Sequence, residues 1–129
     1  MKPPRGLQIT DVETGTGPRV VPGDLAVCKW RCTQTQGDIL FQSDDSQSQP
    51  IRVGARDYCV GIEYGLLGMQ PGGTRRIKAP PYLTYVERKS FPDLSENAVL
   101  IYELTLIEIV GKWDATMEKR LGFEKGEIL

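Results

Sequence analysis

The chain has 129 residues, of which 40% are apolar and 26% are charged, so its size and composition suit one domain with its own core. Sixteen lysines and arginines against seventeen aspartates and glutamates give a formal net charge of -1. This balance disfavours a nucleic-acid-binding protein, which would normally carry a basic face. No apolar run reaches the ~18 residues of a membrane-spanning helix, so we expect no membrane association.

The cysteines indicate the redox environment of the protein. There are three cysteines and no histidine, and Cys28 and Cys32 share one face of a predicted strand, a poor geometry for mutual pairing. We expect these thiols and Cys59 to be reduced, which suits a cytoplasmic location. The first six residues lack the apolar stretch of a secretory signal, and a leader removed upstream stays open as an alternative. Without histidine or a CxxC pair we expect no metal site and no cofactor.

The first half of the chain alternates short predicted strands with turns. Residues 7–12 alternate apolar and polar side chains, which predicts a strand, and residues 13–18 predict a turn. A nucleotide-binding loop is disfavoured there because no helix start follows. The next predicted strand carries four residues on one face: Ala26, Cys28, Trp30 and Cys32. Residues 36–38 predict a hairpin turn that leads back into an extended segment at 39–41.

The second half predicts one short helix and two further strands. Ile62, Leu66 and Met69 have the spacing of a helical stripe, and three glycines in the same segment predict that the helix is short. Residues 74–79 have strand character. A long strand from Ala98 onward carries four residues on one face: Leu100, Tyr102, Leu104 and Leu106. The predicted class is α+β, an antiparallel sheet with one helix on its apolar face.

The composition changes near the C-terminus, which divides the chain into a domain of residues 1–110 and an extension of residues 111–129. Asp114 is placed to cap a short helix over residues 115–121. Three apolar residues would form one stripe of it: Trp113, Met117 and Leu121. Two roles stay open for this stripe, which either folds back on the domain or docks a partner protein.

Several turns occur in the order and spacing of a known family. They are Glu13-Thr14-Gly15-Thr16-Gly17 before Pro22-Gly23-Asp24, then Gly65-Leu66-Leu67-Gly68-Met69 before Gly72-Gly73-Thr74-Arg75, then Pro80-Pro81-Tyr82-Leu83-Thr84-Tyr85, and last Ala98-Val99-Leu100-Ile101-Tyr102. Taken together over residues 7–110, they resemble the FKBP-type peptidyl-prolyl isomerases. The resemblance implies a half-open antiparallel sheet wrapped around one short helix, with an apolar pocket between them.

The resemblance also implies a reaction, the cis–trans rotation of X-Pro bonds in proline-containing polypeptides. This rotation has a barrier of ~20 kcal/mol and breaks no covalent bond, so it needs no nucleophile, metal or general base. It needs a dry aromatic pocket, because apolar surroundings disfavour the charge-separated planar amide relative to the twisted state. We expect a monomer that assists protein folding and binds macrolide inhibitors with weakened affinity.

Four aromatic residues match the catalytic pocket of the family: Trp30, Phe41, Tyr85 and Tyr102. Leu40 is an alternative to Phe41, because the hairpin is one residue longer than the family pattern. Tyr85 matches a loop tyrosine whose hydroxyl donates a hydrogen bond to ligand. Trp30 and Tyr102 match wall positions on the first and last long strands.

Five further residues match substrate-binding positions: Gln42, Tyr58, Cys59, Ile62 and Leu94. The backbone N–H of Cys59 would receive a ligand carbonyl, and Leu94 would cover the rim. Gln42 replaces a usual aspartate, and Ile62 replaces the tryptophan that commonly forms the pocket floor. Val86 replaces a usual glycine in the loop after Tyr85.

These departures leave two functions open. One is an isomerase with reduced activity, which we favour because the aromatic wall is retained. The other is a protein-binding module that keeps the fold and has lost most turnover.

Overall fold

The computed structural model describes residues 4–34, 39–42, 49–55, 60–83, 89 and 97–117. Within these ranges the strands are β1 (Gln8–Glu13), β2 (Asp24–Gln34), β3 (Ile39–Gln42), β4 (Gln49–Arg52), β5 (Thr74–Ala79) and β6 (Leu100–Lys112). One α-helix, α1 (Val60–Leu66), lies between β4 and β5 in the chain. A 3-10 helix over Pro81–Leu83 follows β5. No helix in these ranges is long and apolar enough to span a membrane.

The strands form one antiparallel sheet in the order β1-β5-β6-β2-β3, with β4 also paired to β2. The strands β3 and β4 share one edge of β2, since β4 pairs with residues 25–28 and β3 with residues 31–33. Six strands therefore occupy five positions across the sheet. This arrangement confirms the predicted α+β class, with the short helix α1 against an antiparallel sheet.

The core lies between the sheet and α1, and the alternation of β2 and β6 builds it. The four residues predicted to share one face of β6 are all fully buried: Leu100, Tyr102, Leu104 and Leu106. On β2, Ala26, Cys28 and Cys32 are buried, and Trp30 packs against them half-buried. Each fully buried large apolar side chain contributes about 1.5–3 kcal/mol to folding.

Packing rather than propensity holds α1 in place, because two of its seven residues are glycines. A Cβ at Gly65 would collide with the side chain of Ile77, so glycine lets the helix approach β5 closely. Arg75 Nη1 then donates to the carbonyl oxygens of Gly65 at 3.0 Å and Leu67 at 2.6 Å. A cation at this end satisfies carbonyls that have no partner within the helix and faces the negative end of its dipole.

The C-terminal segment packs against the start of β2 and the end of β4. The strand β6 continues to Lys112, two residues past the predicted domain boundary. Trp113 N donates to Gly23 O at 2.8 Å, and Trp113 Nε1 donates to Val53 O at 3.0 Å. Met117 is only 7% exposed, and a Cβ at Gly54 would collide with its sulfur. Trp113 and Met117 therefore fold back on the domain.

Asp114 has the contacts of a helix cap. Its Oδ1 accepts hydrogen bonds from the backbone N of Thr116 at 3.0 Å and from the Thr116 hydroxyl at 2.8 Å. Such contacts are typical of the residue before a helix. Of the predicted helix over residues 115–121 only residues 115–117 are described, and Leu121 lies outside the described residues.

Three exposed aliphatic residues coincide with irregularities of the sheet. Val12, Ile107 and Val110 are 58%, 41% and 47% exposed. Each is skipped by the pairing register, at the shift in β1 and at the two shifts of β6 against β2. An extra residue in a bulge leaves the inside–outside alternation of its strand. The bulges thus account for large apolar side chains on the surface.

Candidate functional site

Three of the predicted pocket residues meet in one apolar cluster. Trp30 on β2, Ile62 on α1 and Tyr102 on β6 all belong to the core between sheet and helix. In the β2–β6 pair Trp30 lies opposite Leu104 and Tyr102 lies opposite Cys32. Trp30 and Tyr102 are therefore diagonal neighbours on the core face, within reach of each other's rings. The strand aromatics and the predicted floor residue thus belong to one core, and their roles in a pocket stay predictions.

Trp30 is more exposed to solvent than Ile62 and Tyr102. Trp30 is half-buried, whereas Ile62 and Tyr102 have no exposed surface at all. A ligand can reach Trp30 directly. It can reach Ile62 or Tyr102 only when the groups that cover them move aside.

The backbone register distinguishes between the two candidates on β3. Phe41 lies opposite Cys32, which itself lies opposite Tyr102 on β6. Leu40 has no partner, because the register shifts there between Phe41 and Ile39. The extra residue of the hairpin is thus Leu40. This register favours Phe41 for the pocket position and places it in the row of Tyr102.

Gln42 follows in the next row of β3, opposite Arg31. The remaining predicted site residues lie outside the described residues: Tyr58, Cys59, Tyr85 and Leu94. Val86 also lies there. Their roles stay predictions from the resemblance.

One thiol on the core face of β2, that of Cys28, is unreactive at physiological pH. Cys28 is fully buried on the core face of β2, and burial raises the pKa of its thiol from 9.0 to about 12. The neutral thiol behaves as a small apolar side chain at physiological pH. Neither Cys28 nor Cys32 forms a disulfide, and Cys59 lies outside the described residues. The cluster thus offers apolar surface rather than a nucleophile at Cys28.

A polar cleft lies on the other side of the helix end, and it has a structural role. Arg19, Gln70, Arg75 and Asp11 are among its lining residues. Arg19 Nη1 donates to Gly68 O at 3.1 Å, and Gln70 Nε2 donates to the backbone at 2.8 Å. Arg75 Nε pairs with Asp11 at 2.7 Å. These polar groups bind the protein itself and so fasten β1 and its following loop to α1.

Arg75 is the residue of most consequence that the sequence analysis missed. The alternation Arg75, Ile77, Ala79 puts it on the buried face of β5, where it is 3% exposed. That alternation was visible in the sequence, and a cation on an apolar face signals a buried hydrogen-bonding role.

With the fold and the cluster described, known proteins can be compared with this chain. The sequence profile of the FKBP-type peptidyl-prolyl cis-trans isomerases matches residues 17–107. The chain belongs to this family. The match includes β2 to β5, α1 and most of β6, and therefore Trp30, Ile62 and Tyr102.

Curated relatives carry FKBP names and are much longer proteins. FK506-binding protein 4 of Chaetomium thermophilum is 34% identical over 105 residues, which are 81% of this chain and 22% of that protein. FK506-binding protein 4 of Dictyostelium discoideum is 32% identical over 104 residues, or 81% of this chain and 28% of that protein. The 46 kDa FK506-binding nuclear protein of Spodoptera frugiperda is 29% identical over 78% of this chain and 25% of its own length. This chain thus spans less than a third of these relatives.

Solved FKBP structures share the fold. AtFKBP13 superposes with a TM-score of 0.70 at 24% identity, covering 83% of this chain and 95% of that chain. FkpA from Escherichia coli superposes with a TM-score of 0.69 at 23% identity, covering 82% of this chain and 49% of that chain. The half-open FKBP sheet around one short helix, predicted from the turn motifs, is confirmed.

Proposed function

We propose that this FKBP domain accelerates cis–trans rotation of X-Pro bonds in proline-containing polypeptides. The observation that carries the proposal is the meeting of Trp30, Ile62 and Tyr102 in one apolar cluster between α1 and the sheet. Membership of a peptidyl-prolyl isomerase family supports the reaction type. In the proposed pocket, Phe41 and Tyr85 complete the aromatic wall.

In the proposed mechanism, the apolar environment of the X-Pro bond lowers the barrier, and no reactive side chain takes part. The planar X-Pro amide is stabilised by resonance that separates charge, and an apolar wall stabilises that form less than it stabilises the twisted one. The neutral Cys28 thiol keeps this environment uncharged. The Cys59 backbone N–H and the Tyr85 hydroxyl would hold the flanking substrate carbonyls, with Gln42, Tyr58 and Leu94 at the margin. Each tenfold gain in rate needs about 1.4 kcal/mol of preferential binding to the twisted state.

We further propose that turnover is reduced and macrolide affinity weakened. Ile62 and Tyr102 are fully buried, so a prolyl ring must displace covering groups before it contacts the floor. That rearrangement subtracts from the binding free energy. An aliphatic floor at Ile62 also offers a smaller contact area than a tryptophan would. Cys28 and Cys32 are buried and form no disulfide, which supports work in a reducing compartment such as the cytoplasm. We also propose that the domain is a monomer.

The burial of the floor also favours the second candidate, an FKBP module that binds partners without turnover. A protease-coupled assay on an X-Pro peptide separates the two. We expect the parent protein to exceed the uncatalysed rate and Phe41→Ala to lose most of that excess. Tyr85→Phe should lose roughly fivefold in kcat/KM, the size of one hydrogen bond.

Tyr82→Phe is the matched control, because Tyr82 is 60% exposed and donates to the Arg5 carbonyl away from the cluster. It should retain the parent rate. A parent protein at the uncatalysed rate would rule out the isomerase and leave the binding module. Equal losses in Tyr82→Phe and Tyr85→Phe would contradict the assigned pocket.

A further inference from the structure

Three neighbouring strands bring basic side chains together on the face of the sheet opposite α1. Arg31 on β2 and Arg76 on β5 both lie opposite Glu103 on the intervening strand β6. Lys78 lies one row further along β5, opposite Ile101. Residues that are directly opposite in an antiparallel pair project to the same face. We call Arg31, Arg76 and Lys78 the basic face.

One carboxylate serves both guanidinium groups of the basic face. Glu103 Oε2 lies 3.5 Å from Arg31 Nη2 and 3.8 Å from Arg76 Nη2. Both distances exceed the 2.7–2.9 Å of a charge-assisted hydrogen bond. The side chains of Arg31 and Arg76 remain 47% and 60% exposed. Two hydrated cations thus share one anion, which leaves net positive charge at the surface.

The surroundings of the basic face are accessible to solvent. The residues in the same rows are exposed or half-buried: Gln8, Thr10, Thr33, Thr74, Ile101 and Thr105. The helix α1 packs on the opposite side of the sheet, against β5 and β6. Lys29 lies on the same face, opposite Thr105. Among the residues that the structure describes, Glu13 and Glu108 are further acids at its margins.

We propose that the basic face is a docking surface for an acidic segment of a polypeptide partner. Charge complementarity identifies this occupant, because paired guanidinium groups match the geometry of carboxylates. Arg31 and Arg76 flank β6, so strand spacing puts their backbones roughly 10 Å apart. An extended acidic chain can span that distance with two of its side chains. Nearby threonine hydroxyls add hydrogen-bonding groups.

The same face is poorly suited to nucleic acid. Single-stranded binders place aromatic side chains under the bases, and none of the described residues in these rows is aromatic. A double helix is read by a helix or a two-stranded ribbon that enters its groove, and the described rows of this sheet face carry no such projecting element. The charge balance of the whole chain does not indicate this basic face, because Arg31 is distant in sequence from Arg76 and Lys78 and only the strand pairing brings them together.

Fluorescence anisotropy with labelled decaglutamate tests the proposal, with decaglutamine as the neutral peptide and an oligothymidylate of equal length. We expect the parent protein to bind decaglutamate alone, more weakly as salt rises. Arg76→Gln with Lys78→Gln should weaken this binding roughly fivefold, as the loss of two exposed ion pairs implies. Arg5→Gln with Lys89→Gln changes the net charge equally at exposed positions outside these rows and should leave affinity nearly unchanged.

Removal of the shared carboxylate should act in the opposite direction. Glu103→Gln frees Arg31 and Arg76 and is expected to tighten decaglutamate binding roughly threefold. Glu108→Gln, which also removes one negative charge, should tighten it less. Equal binding of both peptides, equal effects of the two double substitutions, or tighter binding of oligothymidylate would overturn the proposal. Isomerase activity does not enter any of these outcomes.

Discussion

Arg75 is a buried cation on an apolar face of β5, so its charge needs partners inside the protein. Its side chain reaches β1 and the end of α1, through hydrogen bonds to Asp11 Oδ1 and to the carbonyls of Gly65 and Leu67. Asp11 itself is 59% exposed, so its Coulomb attraction is screened by water. We attribute most of the stabilisation to the hydrogen bonds that satisfy the two carbonyls.

Arg75→Met tests this role. The change removes all donors and leaves two helix-end carbonyls without their partner, so we expect the free energy of unfolding to fall by about 3 kcal/mol. Urea denaturation measures it. Arg76→Met is the matched control on the next residue of β5, where the side chain is 60% exposed, and it should stay within about 0.5 kcal/mol of the parent. Similar losses in both variants would contradict the buried role.

Cys28 predicts a stability change at high pH. Its folded pKa of about 12 lies above the ordinary value of 9.0, so the unfolded thiol ionises first as the pH rises. The folded state therefore loses stability between about pH 9 and 12, by up to about 1.4 kcal/mol per pH unit. Denaturation at several pH values in this range measures the slope. Cys28→Ala should have a shallower slope, and an unchanged slope would show that other groups dominate.

Single residues were predictable from the sequence where alternation governs them. Leu100 to Leu106 and Ala26 to Cys32 lie on the faces that their period of two indicates. The choice between Leu40 and Phe41 was not predictable, because a bulge is a property of two paired strands and only one of them is read at a time. The buried role of Arg75 depends likewise on where α1 ends in space.

At the scale of elements, residues 112–117, from the end of β6 onward, bind to two other parts of the fold. We call this segment the strap. Lys112 Nζ pairs with Asp24 Oδ1 at 2.6 Å, and the Arg52 guanidinium lies 5.4 Å from the centre of the Trp113 ring. The strap thus joins β6 to the turn before β2 and to the end of β4. The family match stops at residue 107, so Lys112 and Trp113 lie beyond the matched range.

A double-mutant cycle tests the strap. Gly54 has a φ of +99° and would collide with Met117 if it carried a Cβ. We expect Gly54→Ala to cost more than the about 1–2 kcal/mol of backbone strain, because the collision adds to it. Met117→Ala removes the collision, so the two losses should be subadditive by about 1 kcal/mol in urea denaturation.

Gly72 supplies the control for this cycle. Its φ is +87° and no atom lies within 4 Å of a Cβ placed there. Gly72→Ala should therefore cost only the backbone strain, and its effect should add to that of Met117→Ala. Additivity at Gly54 as well would mean that Met117 does not pack there.

The elements themselves were largely predictable, and their ends were not. Residues 74–79 form β5 as predicted, whereas α1 is confined to Val60–Leu66 within the longer predicted segment. Glycines give α1 little propensity of its own, so its end depends on Arg75 and on contact with β5. The strand β6 runs past residue 110 because β2 continues to pair with it as far as Asp24.

At the scale of the whole molecule, the two proposed surfaces use opposite faces of one sheet. The apolar cluster faces α1, and the basic face lies on the other side of the same strands. Substitutions at sites without shared partners have additive effects. We therefore expect Arg76→Gln with Lys78→Gln to keep kcat/KM in the X-Pro assay within about twofold of the parent. A larger loss would mean that the peptide substrate itself crosses the edge of the sheet.

The long pairing of β2 with β6 also has a consequence for biosynthesis. These strands form the centre of the sheet, yet Asp24 and Lys112 are 88 residues apart in the chain. During translation β2 is synthesised well before β6 and stays without this strand partner until β6 follows. Pairings so distant in sequence slow folding, and the unpaired strand leaves apolar surface and a free edge exposed to aggregation in the meantime. This domain should therefore depend on chaperones while it is being made, and truncated chains that end before β6 should aggregate.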